Sequence, residues 1–324
     1  LKPAIDDIRT EAWRVVCAPH HNHQDNAESE VMTQLWMDQY LKGAFVLPKT
    51  PETELRLTSD DGVPRVVVRP DPSRTILAVD VYYSQQVEPK AGIDEYEHAK
   101  HRFWHHAQPV KEGDAWTARL PLQTMEKPLW LYANVLYQLD DPVRGVGYYY
   151  RPYVAESFLL SSLMHEVSAD ALKAAGGKVV TRPALLIEDF EGDWEREWFA
   201  YRPEEWGRST HKVYDETWKA PAGARLAVDV RAEVANKMVI GLDDYAAETD
   251  LSGGPDWQTV ELRPGAFLDA VNEPLGDWSN LRELRLSARD TLRKNIKGVQ
   301  QSRTIGADWK GPPPAFRNLR WIVE

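Results

Sequence analysis

The sequence predicts a mainly β protein that begins with a short α/β segment, and three observations support this prediction. From residue 55 onward, short runs of β-branched and aromatic residues alternate with turn-forming Gly, Pro, Asp and Asn. Before residue 45 there is one helical pattern, with Val31, Leu35 and Trp36 at helical spacing and Gly43 where a C-cap glycine is expected. The 324 residues are 43% hydrophobic and 27% charged, which is typical of a globular chain with two or three domains.

Charge and cysteine content restrict the possible partners. The chain carries 50 acidic and 39 basic residues, and its net charge of −11 argues against a nucleic-acid partner, which needs a basic face. No apolar run is long enough to span a bilayer. The lone Cys17 cannot form an intrachain disulfide, and its apolar neighbours predict a buried thiol rather than a nucleophile.

The first 45 residues combine a strand, a histidine-rich loop and a helix, in that order. An apolar run over 13–18 ends at Pro19 and predicts a buried strand. The polar loop that follows reads PHHNHQD, and the amphipathic helix is expected over 28–41. The histidines therefore lie on a strand-to-helix connection.

This arrangement resembles the closing segment of α/β-hydrolases, where the catalytic histidine lies on a loop between the last strand and the last helix. The runs VVCAPHHNHQD and QLWMDQYLKG are similar to that segment in esterases of the dienelactone-hydrolase and acetyl-xylan-esterase type. The resemblance implies that His23 is the triad base, with His21 as the second candidate. It also implies a secreted, periplasmic or cell-surface protein.

The nucleophile that such a hydrolase needs is not in this sequence. No G-x-S-x-G motif occurs, and the order of the triad would place the nucleophile and the acid before Leu1. A serine hydroxyl becomes a good nucleophile only when an imidazole takes its proton. The resemblance therefore implies that an upstream segment or a partner chain supplies the serine, and that this chain alone catalyses nothing.

The same loop admits two other interpretations. His21, His23 and Asp25 have the H-x-H-x-D spacing of metallo-β-lactamase-type hydrolases, so they resemble a zinc site. That motif continues with a further histidine, and this chain has Asn26 there. The third interpretation is a polar loop with no catalytic role.

The middle of the chain predicts an immunoglobulin-like β-sandwich over 55–175, after a linker at 46–55. Its short strands are separated by turn residues at the spacing of such domains. A helix-prone stretch ends at Gly176 and Gly177, and we place the domain boundary at 175–183. The predicted strands are 63–69, 75–84, 116–121 and 129–137.

A histidine group lies inside this middle region. On a helix, His98, His101 and His105 would share one face and could hold a metal ion. The alternative is a short helix or hairpin arm in which Phe103 and Trp104 pack inward. No Asp or Cys at ligand spacing supports the metal interpretation.

The last segment, 184–324, resembles the galactose-binding-like jelly-roll family, which includes many carbohydrate-binding modules. The resemblance depends on an opening strand that ends in EDFE from Glu188, a W-x-x-V-x-L strand from Trp257, and a closing RNLRW strand from Arg317. It implies a jelly-roll β-sandwich and a polysaccharide or glycan ligand. The fold alone does not identify the ligand, because it carries many functions.

Two candidate sites follow in this segment. Four carboxylates crowd one strand end, and their oxygens suit a structural calcium ion: Glu188, Asp189, Glu191 and Asp193. Exposed indoles can stack on sugar rings, and three lie in polar, turn-like sequence: Trp194, Trp198 and Trp206. Trp257 and Trp321 lie in alternating strands, where we expect core packing. The alternative is that all the indoles of this segment pack internally.

Three functions remain open at this point. The first is the C-terminal part of a secreted α/β-hydrolase-type ester or carbohydrate hydrolase, with His23 as base and β domains that position a glycan. The second is a non-catalytic carbohydrate-binding or surface-assembly protein. The third is a zinc-dependent hydrolase built on His21, His23 and Asp25.

Overall fold

The computed structural model describes residues 8, 10, 12–20, 27–89, 92–147, 151–202 and 205–323. Strands make up 42% and helices 14%, which confirms the mainly β class. The chain divides into two compact units. Unit 1 comprises Leu1–Glu95 and Trp104–Thr181, and unit 2 comprises Tyr96–Phe103 and Arg182–Glu324. No helix in the described ranges has the length and apolar character needed to cross a membrane.

Unit 1 is a β-sandwich of two antiparallel sheets. One sheet has the order β1-β2-β6-β5, and the other has the order β4-β3-β7-β8 with β9 added alongside β7. Inward residues of both sheets, such as Val66, Val81 and Leu131, form a single core. The strands are β1 Glu52–Arg56, β2 Arg65–Arg69, β3 Ile76–Ser84, β4 His105–Ala107, β5 Val110–Glu112, β6 Ala115–Arg119, β7 Leu129–Val146, β8 Pro152–Ser161 and β9 His165–Val167.

The predicted amphipathic helix is present in unit 1. Helix α1, Ala27–Met37, continues as a π-helical turn, Asp38–Lys42, and ends at Gly43 with φ 65°. Only glycine adopts this left-handed conformation without a steric penalty, so Gly43 caps the helix as predicted. The buried face of α1, with Val31 and Leu35, joins the core of the sandwich. Unit 1 also contains a short helix at Ala169–Ala174, which is the third helix in chain order and is called α3.

The predicted strand at 13–18 is reduced to one bridge, between Val15 and Ser161. Side chains satisfy the neighbouring backbone groups instead of a strand ladder. The Ser161 hydroxyl accepts from the Cys17 amide at 2.7 Å, and Asn134 Nδ2 donates to the Cys17 carbonyl at 3.0 Å. Burial raises the pKa of the Cys17 thiol, so it is not a reactive thiolate.

Unit 2 is a second β-sandwich with an additional two-stranded hairpin. Its two sheets have the orders β10-β19-β12-β15 and β11-β16-β13-β14, and β17 pairs with β18 in a separate hairpin whose Leu292 and Ile305 pack against Val239 and Ala246. The core between the sheets includes Val228, Ile240 and Trp321, the last of which is buried as predicted. The strands are β10 Leu186–Glu188, β11 Arg208–Thr210, β12 Arg225–Arg231, β13 Asn236–Leu242, β14 Tyr245–Leu251, β15 Gln258–Leu262, β16 Leu284–Ser287, β17 Arg289–Ile296, β18 Val299–Gly306 and β19 Ala315–Ile322.

A helix from the middle of the chain belongs to unit 2. Helix α2, Glu95–His101, buries His98 and His101, and the Phe103 ring that follows packs edge-on against Trp218 at 5.2 Å. His105 lies beyond the end of this helix in β4 of unit 1. The three histidines therefore do not share one helical face. Of the alternative interpretation, the short helix and the buried Phe103 are found, and Trp104 is half-buried.

Candidate functional site

The predicted catalytic residues His21, His23 and Asp25 all lie outside the described residues. Both the esterase and the zinc hypotheses therefore stay predictions. Within the described ranges, no group of three or more His, Cys, Asp or Glu side chains is arranged to hold a metal ion.

The four acidic residues at the end of β10 do not converge on one point. Glu188 is buried, whereas Asp189, Glu191 and Asp193 are exposed. The Asp189 carboxylate accepts a hydrogen bond from the Glu191 amide at 2.9 Å, which closes a local turn. The calcium hypothesis stays a prediction, and Glu188 has a different set of partners.

Those partners form a buried ion cluster, which we call the Lys212 centre: Lys212, Glu188 and Glu197. The Lys212 ammonium lies 2.8 Å from Glu188 Oε2 and 2.7 Å from Glu197 Oε2. The side chains of Lys212 and Glu188 are each only 6% exposed. Burial alone would lower the pKa of Lys212, but the two carboxylates outweigh it and raise this pKa. The centre therefore stays charged and ties β10 to the two short turns that carry its other members.

The three tryptophans predicted to stack on sugars are packed against other aromatic rings. Trp198 is 4% exposed, and its indole nitrogen donates to Glu188 Oε2 at 2.8 Å. It is therefore a core residue with no open face for a sugar. Trp194 and Trp206 are half-buried, with Trp194 on Phe190 at 5.1 Å and Trp206 on Trp309 at 4.9 Å between ring centroids. Sugar stacking at these two rings stays a prediction.

The outer face of the β10-β19-β12-β15 sheet carries polar and aromatic groups that the sequence interpretation missed. In β12 the residues Leu226, Val228 and Val230 point into the core, so Asp229 and Arg231 point outward. Neighbouring strands add further side chains to this side. We call this group the Asp229 face: Asp229, Arg231, Trp257, Arg317 and Arg320.

A β-bulge in β19 places two arginines on this face. Asp229 pairs with Arg317 and Ala227 pairs with Arg320, so two residues of β19 lie opposite the single residue Val228. Asn318 occupies the bulge with φ 53°, a conformation that asparagine tolerates better than most residues. Without the bulge, residues three apart would point to opposite sides of the sheet.

Asp229 holds this arrangement together. Its carboxylate accepts from Thr259 Oγ1 at 2.9 Å and from Asn318 Nδ2 at 3.0 Å, and it lies 3.3 Å from Arg317 Nε and 3.4 Å from Arg320 Nη1. Burial alone would raise the pKa of Asp229. The hydrogen bonds from Asn318 and Thr259, together with Arg320, outweigh burial and lower this pKa, so the carboxylate stays ionised.

Trp257 lies beside this carboxylate and positions two cations. The guanidinium carbon of Arg317 is 4.3 Å from the indole centroid, and that of Arg231 is 5.0 Å away. Both distances are in the range of cation–π attraction. The prediction that Trp257 is a core residue is therefore wrong. The sequence contained the relevant signal, because Trp257 and the buried Val260 are three positions apart and so lie on opposite faces of a strand.

The charge on this side differs in sign from that of the whole chain. Strand positions on the outer face carry four arginines, at 225, 231, 317 and 320, and two carboxylates, at 229 and 261. The local net charge is therefore +2, whereas the chain has −11. The side chain of Arg317 is 47% exposed and that of Arg320 is 30% exposed, so solvent and ligands reach both.

A second polar network in unit 2 is buried around helix α2. His98 Nδ1 lies 2.9 Å from the Tyr214 hydroxyl, and the His101 and His211 rings pack edge to face at 5.1 Å. Burial lowers the pKa of His211 to about 4, so this ring is neutral at pH 7. An ion pair of 3.2 Å between Arg282 and Glu97 completes the attachment of the helix. This network fastens helix α2 to the rest of unit 2.

No known protein-family model matches the sequence, and no curated protein is significantly similar to it. What the chain does must therefore be inferred from its own side chains. Guanidinium groups keep their protons at physiological pH, so the Asp229 face can donate hydrogen bonds and attract anions but is unsuited to proton transfer. Its chemistry is that of a binding surface.

Proposed function

We propose that unit 2 is a carbohydrate-binding β-sandwich and that its ligand lies on the Asp229 face. The supporting observation is the half-buried Trp257, which directly precedes β15 and lies beside Arg231, Arg317 and the ionised Asp229. A sugar presents apolar C–H surfaces and hydroxyl groups, so it needs an aromatic body and directed polar groups in one place. Groups that strands hold in fixed positions provide both with little loss of conformational entropy on binding.

In this proposal the chain is the C-terminal part of a secreted α/β-hydrolase-type esterase. His23, or His21 as the second candidate, supplies the triad base, and unit 2 holds the glycan that carries the ester. The support is the position of α1, Ala27–Met37, directly after the histidine-rich loop, with its apolar face in a core. The serine and the acid would come from an upstream segment or a partner chain.

A non-catalytic carbohydrate-binding protein is the second candidate. The Asp229 face supports it equally, because binding on this face needs no nucleophile. The two candidates differ in one measurable property, which is ester hydrolysis by the native polypeptide from its source. Activity that disappears in a His23→Ala variant supports the esterase, whereas glycan binding without any such activity supports the second candidate.

Binding itself is tested with the full chain and a panel of soluble polysaccharides in affinity gel electrophoresis. We expect at least one polymer to retard the protein and a Trp257→Ala variant to lose about tenfold in affinity, which corresponds to about 1.4 kcal/mol. The matched control is Trp116→Ala in unit 1, another half-buried indole, which has the Lys111 ammonium 4.9 Å from its centroid. Equal losses in the two variants, or no retardation by any polymer, would exclude this site.

A further inference from the structure

We infer that the Asp229 face selects an anionic polysaccharide, one whose sugar units carry carboxylate or sulfate groups. This inference rests on the proposed carbohydrate-binding function and names the class of its ligand. It is argued from the unbalanced charge of the face, from how its arginines are held, and from their arrangement along the sheet.

The arginines of the face keep hydrogen-bonding capacity for a ligand. Arg317 contacts Asp229 through Nε, at 3.3 Å, and no hydrogen bond within the described residues occupies its terminal nitrogens. Arg231 has no carboxylate partner in the part of the chain that the structure describes, and its indole contact uses the π face of Trp257. Planar guanidinium groups match carboxylate and sulfate oxygens with two parallel hydrogen bonds.

Two like charges are also held against the same indole ring. Arg231 and Arg317 each have a guanidinium carbon within 5.0 Å of the same indole centroid. Their mutual repulsion is only partly offset by Asp229, which is shared with Arg320. An anion bound at either guanidinium would gain a charge-assisted contact and offset this repulsion, whereas a neutral sugar hydroxyl would not.

The arrangement extends along β12 and suits a polymer rather than a single anion. Arg231 and Arg225 lie on the same side of the strand, six residues apart, which corresponds to about 20 Å. Asp229 lies between them, and Arg320 stands opposite Ala227 on the next strand. Arg225 is 3.2 Å from Glu261 and is only partly available. A chain with charges on successive units meets several of these arginines at once, which multiplies weak contacts.

The net charge of −11 restricts where such a ligand binds. Polyanions are repelled by most of an acidic surface, so a local excess of positive charge directs them to one face. Association should therefore weaken as salt screens these charges.

The test compares polymers that share a backbone and differ in charge. Polygalacturonate is paired with highly methyl-esterified pectin, whose carboxylates are capped, and dextran sulfate is paired with dextran. Affinity of the full chain is measured by titration calorimetry at about 50 and 200 mM salt, because ion contacts weaken across this range. We expect at least one charged polymer to bind about tenfold more tightly than its neutral partner, and we expect salt to reduce this advantage.

Variants locate the contact. Arg317→Gln is expected to lower affinity for the charged polymer about tenfold and to leave the neutral polymer unchanged. The control is Arg119→Gln in unit 1, since Arg119 is 55% exposed and also pairs with an aspartate, Asp61, at 2.8 Å. A single-stranded oligonucleotide serves as a polyanion that is not a polysaccharide. Thermal melts of each variant establish that it is folded.

The outcomes separate this inference from the function beneath it. Binding of only one charged polymer identifies carboxylate or sulfate as the recognised group. Equal binding of charged and neutral polymers that still depends on Trp257 overturns the anionic preference and leaves carbohydrate binding in place. Equal effects of Arg317→Gln and Arg119→Gln, or equal binding of the oligonucleotide, show general polyanion attraction and overturn it as well. No binding of any polymer removes the carbohydrate function itself.

Discussion

Among the clusters of unit 2 in which one charge is held by two opposite charges, the Lys212 centre and the Asp229 face differ in access to solvent. In the Lys212 centre the ammonium and the Glu188 carboxylate are each 6% exposed. On the Asp229 face the carboxylate is buried, but Arg317 and Arg320 reach solvent. Similar ingredients therefore have different uses. The closed cluster can only stabilise the fold, whereas the open cluster leaves donors for a ligand.

The comparison also shows what the charge pattern of the sequence did not reveal. The conspicuous acidic run after β10 contributed one member, Glu188, to the closed cluster. The open cluster comes from residues of β12 and β19 and from Trp257, which directly precedes β15, and Asp229 is the acid at its centre. A crowd of acids in sequence is thus a weaker indicator of a site than a buried acid that orients exposed arginines.

Removing the cation of the closed cluster should have the largest effect. Lys212→Met removes the cation that Glu188 and Glu197 share and leaves Glu188 buried without this ion pair, so we expect a loss of about 3–5 kcal/mol in the free energy of unfolding. Urea denaturation at pH 7 measures it. The control is Lys219→Met, whose pair with Glu216 is exposed, and it should change stability by less than about 0.5 kcal/mol. A Lys212→Met loss below about 1 kcal/mol would show that the centre contributes little to the fold.

His211 is a buried base that lacks the pair of carboxylates found around Lys212. Its pKa is therefore lowered, whereas that of Lys212 is raised. Burial lowers the pKa of His211 to about 4; Glu283 opposes this shift, and His101 and Lys100 add to it. The folded state holds His211 neutral, while the unfolded state takes up a proton below about pH 6.5, so stability falls as the pH drops from 6.5 towards 4. We expect roughly 2–3 kcal/mol of loss across this window. Urea denaturation at pH 7, 6, 5 and 4.5 measures this loss. The free energy of unfolding should fall less steeply with decreasing pH in His211→Gln than in the wild type.

Asp243 should have a smaller effect on stability than His211, and its effect should depend on pH in the opposite direction. Burial raises its pKa to about 6, so the folded state holds this proton more tightly than the unfolded state, and its stabilising effect is lost as the pH rises through 6. Asp243→Asn should therefore stabilise the protein at pH 7 by about 1 kcal/mol. Asparagine can keep the bond from the Glu283 amide and tolerates the local φ of 49°. The gain should disappear at pH 4.5, and a gain that persisted there would point to another cause.

Removing an arginine of the open face should have the smallest effect on stability. Arg317→Gln breaks a 3.3 Å contact of an exposed side chain, so we expect less than about 1 kcal/mol in urea denaturation. The same variant is the one expected to lose ligand affinity. A large loss of stability would place Arg317 with Lys212, in the structural class, and would remove the distinction between the two clusters.

Local patterns in the sequence predicted much of the fold. The helix that ends at Gly43, the strand 75–84 and the strand beginning at Arg225 are found as α1, β3 and β12, because their periodicity and capping are local properties. The hairpin β17–β18 was missed because its strands are largely polar. Its turn residues Lys297 and Gly298, both with positive φ, were the available signal.

The candidate site was less predictable because it depends on pairing between distant strands. Nothing local shows that Asn318 forms a bulge, and without the bulge Arg317 and Arg320 would not share a face. Glu188 shows the reverse difficulty. Its acidic neighbours suggested a metal ligand, which stays a prediction, and nothing local indicated its ion pair with Lys212, 24 residues away.

Helix α2 has a consequence for how unit 2 can be inherited. Its residues are encoded between the two segments of unit 1. The contiguous part of the chain that starts at Arg182 therefore does not include His98 and Phe103. A recombination event that moved only this contiguous segment would remove the His98 ring from Tyr214 and the Phe103 ring from Trp218. The contiguous segment is therefore not the whole of unit 2, and we expect the two units to be inherited together.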